Sequence, residues 1–170
     1  MASGDTLLIL RPGNGVPTAT ASAGLTSIAG ASSPAERFTV LAYDDGATLE
    51  HFDFPLIMPQ SYGGGGLTLR FLSGAAAATG TYIIGAALRR IEDDTDDLDT
   101  SAHTYDYNNT SAITAPSAIG EIGYDTLTFS SGADMDSVAA GDMFILRIRV
   151  DGDTTITGDT YLHQIEVRET

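Results

Sequence analysis

The sequence contains no cysteine, no lysine and no tryptophan. Without cysteine there are no disulfide bridges, no thiolate metal ligands and no cysteine nucleophile. Without lysine, the basic residues are eight arginines, which face 23 acidic residues and leave a formal net charge of −15 at pH 7. Such a chain lacks the basic face that nucleic-acid phosphates need, and an anionic membrane surface repels it. We therefore expect neither nucleic acid nor membrane among its partners.

Long apolar runs are also missing, and no stretch approaches the roughly 20 residues of a membrane span. The first five residues lack the positive charge that opens a signal peptide. We expect a soluble protein that is made in the cytoplasm without cleavage. A length of 170 residues favours one domain with its own hydrophobic core.

The first part of the chain differs in composition from the rest. Residues 12–35 are mostly small residues and proline without any charge, and such a stretch buries too little surface to offset its ordering entropy. It is either a flexible linker or an arm that becomes ordered on a neighbouring subunit. The apolar run before it favours an anchored arm that adds a strand to a partner's sheet edge; that run is Leu7, Leu8, Ile9 and Leu10. We divide the chain into a strand and arm at 1–36 and a domain at 37–170, which we expect to fold alone.

Beyond residue 36, short alternating patterns bounded by turn residues predict strands. The clearest is Met143–Val150, where apolar residues alternate with Arg147 and Arg149, and Asp151-Gly152-Asp153 ends it in a turn. Further strands are predicted at 37–43, 49–58, 67–72, 81–91, 122–129 and 161–167, weaker ones at 103–107 and 111–115, and one short helix at 135–139. Eight to ten strands with uneven connections predict an all-β jelly-roll β-sandwich.

An acidic loop at residues 92–99 is the most obvious metal candidate. Clustered carboxylates can supply the oxygen ligands of calcium, and the candidates are Asp94, Asp96, Asp97 and Asp99. The spacing differs from that of an EF-hand, which needs glycine at the sixth position and glutamate at the twelfth. We interpret the segment as a solvated loop and assign neither a metal nor a cofactor.

No arrangement of residues indicates catalysis. His51, His103 and His163 lie on separate segments, and no Gly-x-Ser-x-Gly elbow is present. Nothing singles out two carboxylates for glycoside hydrolysis, so a glycan-processing enzyme is a distant alternative. The four glycines at 63–66 are not followed by the lysine of a phosphate loop. We predict a protein without enzymatic activity.

Several blocks of residues carry a resemblance to a known family. Phe52-Asp53-Phe54 leads through Pro59 to Tyr62-Gly63-Gly64, and the strongest block, at 135–144, contains the turn Ala140-Gly141-Asp142. From about residue 38 onward the chain resembles small β-sandwich proteins encoded by tailed phages and prophages. The turn is also similar to that of trimeric jelly rolls of the tumour-necrosis-factor type.

The resemblance implies a non-enzymatic virion protein. Its role would be capsid decoration (cement) on the outer capsid surface, as a homotrimer bound to the major capsid protein. Gly141 and Asp142, together with the run at 7–10, are then the partner-binding candidates. The alternative is a tail or fibre receptor-binding module that binds glycans, with stacking residues among Tyr62, Tyr82, Tyr105, Tyr107 and Tyr124. The absence of tryptophan, the best aromatic platform, speaks against sugar binding.

Overall fold

The structure is a computed structural model that describes residues 4–45, 48–100, 102–150 and 155–170. The strands are β1 (Thr6–Leu10), β2 (Val16–Pro17), β3 (Gly24–Ala29), β4 (Arg37–Tyr43), β5 (His51–Ile57), β6 (Leu67–Ala75), β7 (Thr81–Tyr82), β8 (Ile84–Ile91), β9 (Asn108–Asn109), β10 (Ile113–Thr114), β11 (Gly123–Phe129), β12 (Met143–Val150) and β13 (Thr160–Glu169). Helical structure in these residues is limited to 3₁₀ turns at Pro12–Asn14 and Ala133–Met135. Nowhere in the described ranges is a helix long and apolar enough to cross a membrane.

The strands form two main sheets, and their neighbours within each sheet are paired antiparallel. Sheet A has the strand order β11-β6-β13-β4-β3, and β1 joins it by pairing with β13. Sheet B has the order β2-β5-β12-β8-β9, and β7 pairs with β10 in a separate ribbon. Strands that are distant in sequence lie side by side, which is typical of Greek-key sandwiches. The predicted all-β sandwich is confirmed.

Alternating apolar residues build the core between the sheets. In β12 the side chains of Phe144, Leu146 and Ile148 are buried. They lie in one cluster with Phe71 of sheet A and with Phe54 of β5. Each fully buried side chain of this kind contributes roughly 1.5–3 kcal/mol. Arg147 and Arg149 lie on the opposite face of β12, which is the outer face of sheet B.

A β-bulge changes the phase of β13. Its pairing with β6 shifts register between Leu162 and Gln164, so Leu162, Ile165 and Val167 are buried. In the strict alternation that predicts a strand at 161–167, Leu162 and Ile165 would lie on opposite faces; this is wrong, because the bulge inserts one extra residue and turns both toward the core. His163 lies at the bulge and is half-buried.

The N-terminal segment pairs with strands of the chain's own sandwich. β1 pairs with β13, β2 with β5, and β3 with β4. The edge to which residues 7–10 add a strand is therefore that of β13 in the same chain. The boundary between residues 36 and 37 falls inside the β3–β4 hairpin. These pairings argue against the expectation from the sequence that residues 37–170 fold alone, and deletion of residues 2–35 tests it.

Three local predictions need correction or fall outside the structure. Residues 103–107 form no strand, because the segment crosses sheet B instead of pairing with it. The predicted helix at 135–139 is replaced by the turn at Ala133–Met135, since Asp136 and Ser137 have φ angles of 51° and 57°, which an α-helix does not allow. The predicted turn at Asp151-Gly152-Asp153 lies outside the described residues.

Candidate functional site

Polar side chains occupy the outer face of sheet B, opposite the core. The antiparallel register of β5 and β12 places Arg147 opposite Asp53 and Arg149 opposite His51. Arg147 donates from Nε to Oδ1 of Asp53 at 2.6 Å and from its Nη2 to Oδ2 at 2.7 Å. This two-point ion pair fixes the plane of the guanidinium, which a single contact would leave free to rotate.

Two tyrosines cover the arginines of this face. The extended segment at 102–107 directs Tyr105 and Tyr107, two residues apart, to the same side. The guanidinium carbon of Arg147 lies 3.8 Å from the ring centroid of Tyr105, and that of Arg149 lies 3.9 Å from the ring centroid of Tyr107. Both are cation–π contacts. The tyrosine spacing therefore matches the arginine spacing on β12.

The protonation states of these groups follow from their surroundings. Burial raises the pKa of Tyr105 and of Tyr107, against the opposing effect of Arg147. The hydrogen bonds to Asp53 raise the pKa of Arg147. Burial, followed by the positive charges of Arg147 and Arg149, lowers the pKa of His51. At neutral pH the face carries neutral aromatic rings beside charged arginines.

A cleft of about 380 Å³ opens on this face. We call it the tyrosine cleft; it is lined by Asp53, Leu98, His103, Tyr105, Ile145 and Arg147. Its volume lies within the range of small-ligand sites, roughly 300–1,000 Å³. The lining combines apolar surface with one carboxylate and one guanidinium, so the cleft can take a ligand that has both an apolar face and hydroxyl groups.

A second, smaller cavity of about 190 Å³ adjoins the cleft. His103 lines both, and the second cavity adds Arg89, Asp106, Asp134 and Asp136. Arg89 donates to Asp136 and to Asp96, each at 2.8 Å. The acidic loop at 92–99 is therefore tied to the floor of the site through an arginine of β8.

The calcium candidates of that loop are not arranged as ligands. Asp96 accepts from Arg89 through Oδ1 and from the backbone N–H of Glu92 through Oδ2, at 2.8 Å and 2.7 Å. Among the residues that the structure describes, no group of three or more histidine or carboxylate side chains could hold a metal ion. No ligand role follows for Asp94, Asp97 or Asp99.

The five tyrosines named from the sequence divide into two groups. Tyr62 and Tyr82 are core residues with 6% and 0% exposure, and Tyr82 shares a 2.9 Å hydrogen bond with Ser73. Neither can stack on a glycan, because no face of the ring reaches solvent. Tyr105 and Tyr107 lie on sheet B, whereas Tyr124 lies on the outer face of sheet A, 4.2 Å from the guanidinium carbon of Arg70.

The partner-binding candidates do not line the tyrosine cleft. Gly141 has a φ angle of 88° and donates its N–H to the carbonyl of Met58 at 2.8 Å. Asp142 accepts from the backbone N–H of Ala139 at 2.9 Å and pairs with Arg90 at 2.8 Å. These contacts give both residues a role in the turn before β12; partner binding by them, or by residues 7–10, stays a prediction.

Sequence reasoning missed most of the cleft. Asp53, His103, Ile145 and Arg147 were not recognised as site residues. One signal was available in the sequence. The strand at Met143–Val150 has one apolar face and carries Arg147 and Arg149 on the other, which marks the outer face of this strand as the place to look for a polar site.

The comparisons with solved structures agree on the fold. The CBM22-1 xylan-binding domain of Paenibacillus barcinonensis Xyn10C is similar to this chain, with a TM-score of 0.56 and 10% sequence identity. The match covers 99% of this chain and 97% of that domain. The tandem CBM22-1–CBM22-2 domain of the same protein gives a TM-score of 0.58 and 11% sequence identity. That match covers 98% of this chain and 50% of the tandem domain. At these identities the similarity shows the fold alone, and it confirms the predicted jelly roll.

A third solved structure extends the same observation. The CBM22-1 and GH10 modules of Clostridium thermocellum Xyn10B, complexed with xylohexaose, match over 99% of this chain with a TM-score of 0.55 and 11% identity. The chain spans 28% of that structure. No family model matches the sequence, and no curated protein sequence matches it significantly.

Proposed function

We propose that this protein is a glycan-binding module and that the tyrosine cleft on sheet B holds the sugar. The observation that carries the proposal is the pairing of Tyr105 with Arg147 beside Asp53 in a cleft of suitable volume. The fold supports it, because the similar CBM22 structures include a xylan-binding domain and a complex with xylohexaose.

Tyr105 supplies the apolar contact. A sugar ring has a face of C–H groups and a rim of hydroxyls, so it needs an aromatic surface and polar groups around it. Tyrosine offers an apolar ring with a polar tip. The guanidinium of Arg147 holds the ring of Tyr105 in one orientation, so less rotational freedom is lost when a ligand binds.

The Asp53–Arg147 pair supplies the polar contacts. Arginine carries five N–H donors, of which Asp53 uses two in the hydrogen bonds described. Each carboxylate oxygen of Asp53 has accepting capacity beyond its bond to Arg147. Two neighbouring sugar hydroxyls can therefore find a donor and an acceptor that are already fixed in place, at about 1.5–3 kcal/mol for each hydrogen bond to a charged group.

The charge of the chain selects the class of glycan. A net charge of −15 repels uronate and sulfate groups, and the arginines of the site are already paired with carboxylates. The ligand is therefore a neutral polysaccharide, such as a xylan or a mannan, rather than an acidic one.

Binding without catalysis fits this site. Glycosidases use two carboxyl groups that flank the scissile bond. In the described part of the chain the tyrosine cleft itself is lined by a single carboxylate, that of Asp53, and Arg147 engages both of its oxygens. In the adjoining cavity Asp136 accepts from Arg89, and Asp134 accepts from Asn108 and from the backbone N–H of Ser130. We therefore extend the proposal to a module that holds a glycan and leaves it intact.

Capsid decoration as a homotrimer, the first prediction from the sequence, finds no support in the comparisons. The alternative prediction, glycan binding, is supported by the similarity to CBM22 structures. A place on a virion, as a receptor-binding module, stays a prediction that mass spectrometry of purified particles would test.

Affinity electrophoresis tests the proposal. The protein runs in native gels that contain xylan, mannan or a mixed-linkage glucan, and in gels that contain the anionic polygalacturonate. We expect retardation by at least one neutral polysaccharide and none by the anionic one. Retardation by polygalacturonate alone, or no binding to any neutral glycan on a broad array, would contradict it.

A further inference from the structure

β3 is an exposed edge strand that lacks the features that protect the other edges. It ends sheet A, pairs on one side with β4, and has no described partner on the other. Its six residues, Gly24–Ala29, include no charge and no proline, and its register with β4 is regular. An edge of this type presents a row of free backbone N–H and C=O groups to another chain.

The other edges in the described ranges are protected. β11 carries Asp125 on the face that also bears the buried Leu127 and Phe129, and an inward-pointing charge opposes pairing with a further strand. β1 has a register irregularity between Thr6 and Leu8. β2 and β9 have two residues each, and β2 includes Pro17. Protection is thus missing at β3 specifically.

The hairpin of β3 and β4 also leaves apolar side chains in water. Leu25 is 57% exposed and Phe38 is 51% exposed, although they lie on opposite faces of the hairpin. Ile28 and Phe38 border an apolar groove of about 410 Å³ together with Ile119 and Ile122. The last four residues of β4 are buried and β4 also pairs with β13, so the exposed surface is confined to β3 and the start of β4, and a further strand at this edge would cover part of it.

Charge identifies the occupant of the edge. Residues 12–35 form the longest uncharged stretch of a chain whose net charge is −15. Two copies of this chain repel each other, and they approach most easily where neither carries a charge. β3 lies in that stretch, and a strand edge is self-complementary under two-fold symmetry.

We infer that two copies of this protein pair through β3, antiparallel, and join their A sheets into one. The two-fold axis is perpendicular to the sheet, so a given residue points to the same face of the joined sheet in both copies. Residues that face each other across the pairing therefore have either two even or two odd numbers. Full overlap of the six residues puts the axis at Thr26 or at Ser27. Because Arg37 donates to Oγ of Ser27 at 3.1 Å, an axis on Ser27 would bring two guanidinium groups together, so the pairing is centred on Thr26, which meets its own symmetry mate. Threonine tolerates this because short hydroxyl side chains can hydrogen-bond across strands.

Sedimentation equilibrium of the full chain is the first test. We expect twice the chain mass of 17.7 kDa and tighter association at higher salt, because salt screens the repulsion between copies. Thr26→Asp should return the protein to a monomer. The matched control is Thr126→Asp on the other edge strand, β11, which should leave the dimer intact. A wild-type monomer or trimer, or a dimer that is insensitive to Thr26→Asp, overturns the inference.

The absence of cysteine permits a second test that does not depend on affinity. Single substitutions Thr26→Cys and Ser27→Cys place one thiol near the axis, and Thr126→Cys places one on β11. Facing residues of paired strands lie within the Cα distance that a disulfide allows, about 4.4–6.8 Å. We expect rapid intermolecular cross-linking of Thr26→Cys under mild oxidation and much slower cross-linking of Thr126→Cys. Equal rates for all three overturn the inference.

Discussion

The guanidinium of Arg147 lies 3.8 Å from the ring centroid of Tyr105, although 42 positions of the sequence separate the two residues. The same guanidinium is held edge-on by Asp53. Its plane and its distance from the sheet are therefore set by β5 and β12, and the position of Tyr105 is set in turn by the guanidinium. A rigid sheet thus orients an aromatic ring that belongs to an irregular segment.

Arg147→Lys should weaken glycan binding about tenfold, which corresponds to about 1.4 kcal/mol. Lysine keeps the charge but loses the planar fork that pairs with Asp53 and the flat surface that supports Tyr105. Isothermal titration with the best polysaccharide measures the change. Arg70→Lys is the matched control, because Arg70 supports Tyr124 on sheet A and its loss should leave binding unchanged. Equal losses in both variants would contradict a site on sheet B.

Gly63→Ala should lower the free energy of unfolding by about 1–3 kcal/mol. The carboxylate of Glu169 accepts from the N–H of Gly63 at 2.8 Å, and a Cβ at Gly63 would lie 2.7 Å from Oε1 of Glu169. The added methyl group displaces the buried carboxylate from its donors. Gly13→Ala meets nothing within 4 Å and serves as the control. Urea denaturation decides, and equal midpoints for the two variants would contradict the steric argument.

The sequence predicted strands well where one face is apolar over the whole length. Met143–Val150 has the predicted bounds because Phe144, Leu146 and Ile148 occupy every second position of the strand without interruption and are all buried. In β13 the bulge at His163 breaks the alternation. A bulge depends on how two strands pair, which the local sequence does not show. The apolar residues before the bulge and those after it therefore follow different phases of the alternation.

The site was only partly predictable. Tyr105 and Tyr107 were among the tyrosines proposed for glycan stacking, but so were Tyr62 and Tyr82, which are buried. The difference arises because residues 102–107 cross the outside of sheet B. The contact between Tyr105 and Arg147 depends on that crossing and on the register of β12, which are properties of the tertiary fold.

Glu166 should make the fold sensitive to acid. Hydrogen bonds from Arg168 and Thr6, at 2.6 Å and 2.5 Å, lower the pKa of Glu166 from 4.5 to about 2. Because the folded state has the lower pKa, this stabilisation is present above pH 4.5 and is lost as the pH falls toward 2. Glu166→Gln should therefore destabilise the protein at neutral pH and have little effect near pH 2. Urea midpoints at both pH values test it, and a difference independent of pH would contradict it.

Deletion of residues 2–35 should abolish cooperative unfolding. The deletion removes β1, β2 and β3, leaves Ile165–Arg168 of β13 without their pairing to β1, and removes the buried side chains of Leu10 and Ala23. Thermal unfolding by circular dichroism, compared with the full chain, measures the effect. A sharp transition close to that of the full chain would instead support the division of the chain at residue 36.

The most direct test of glycan binding by the tyrosine cleft compares Tyr105→Ala with Tyr124→Ala. Both residues are tyrosines stacked on arginine, at 3.8 Å and 4.2 Å, on the outer faces of opposite sheets. Isothermal titration with the neutral polysaccharide that retards the wild type gives the affinities, and melting curves confirm that both variants are folded. We predict at least a tenfold loss of affinity for Tyr105→Ala and an unchanged affinity for Tyr124→Ala. Full binding by Tyr105→Ala, or loss confined to Tyr124→Ala, would contradict the account.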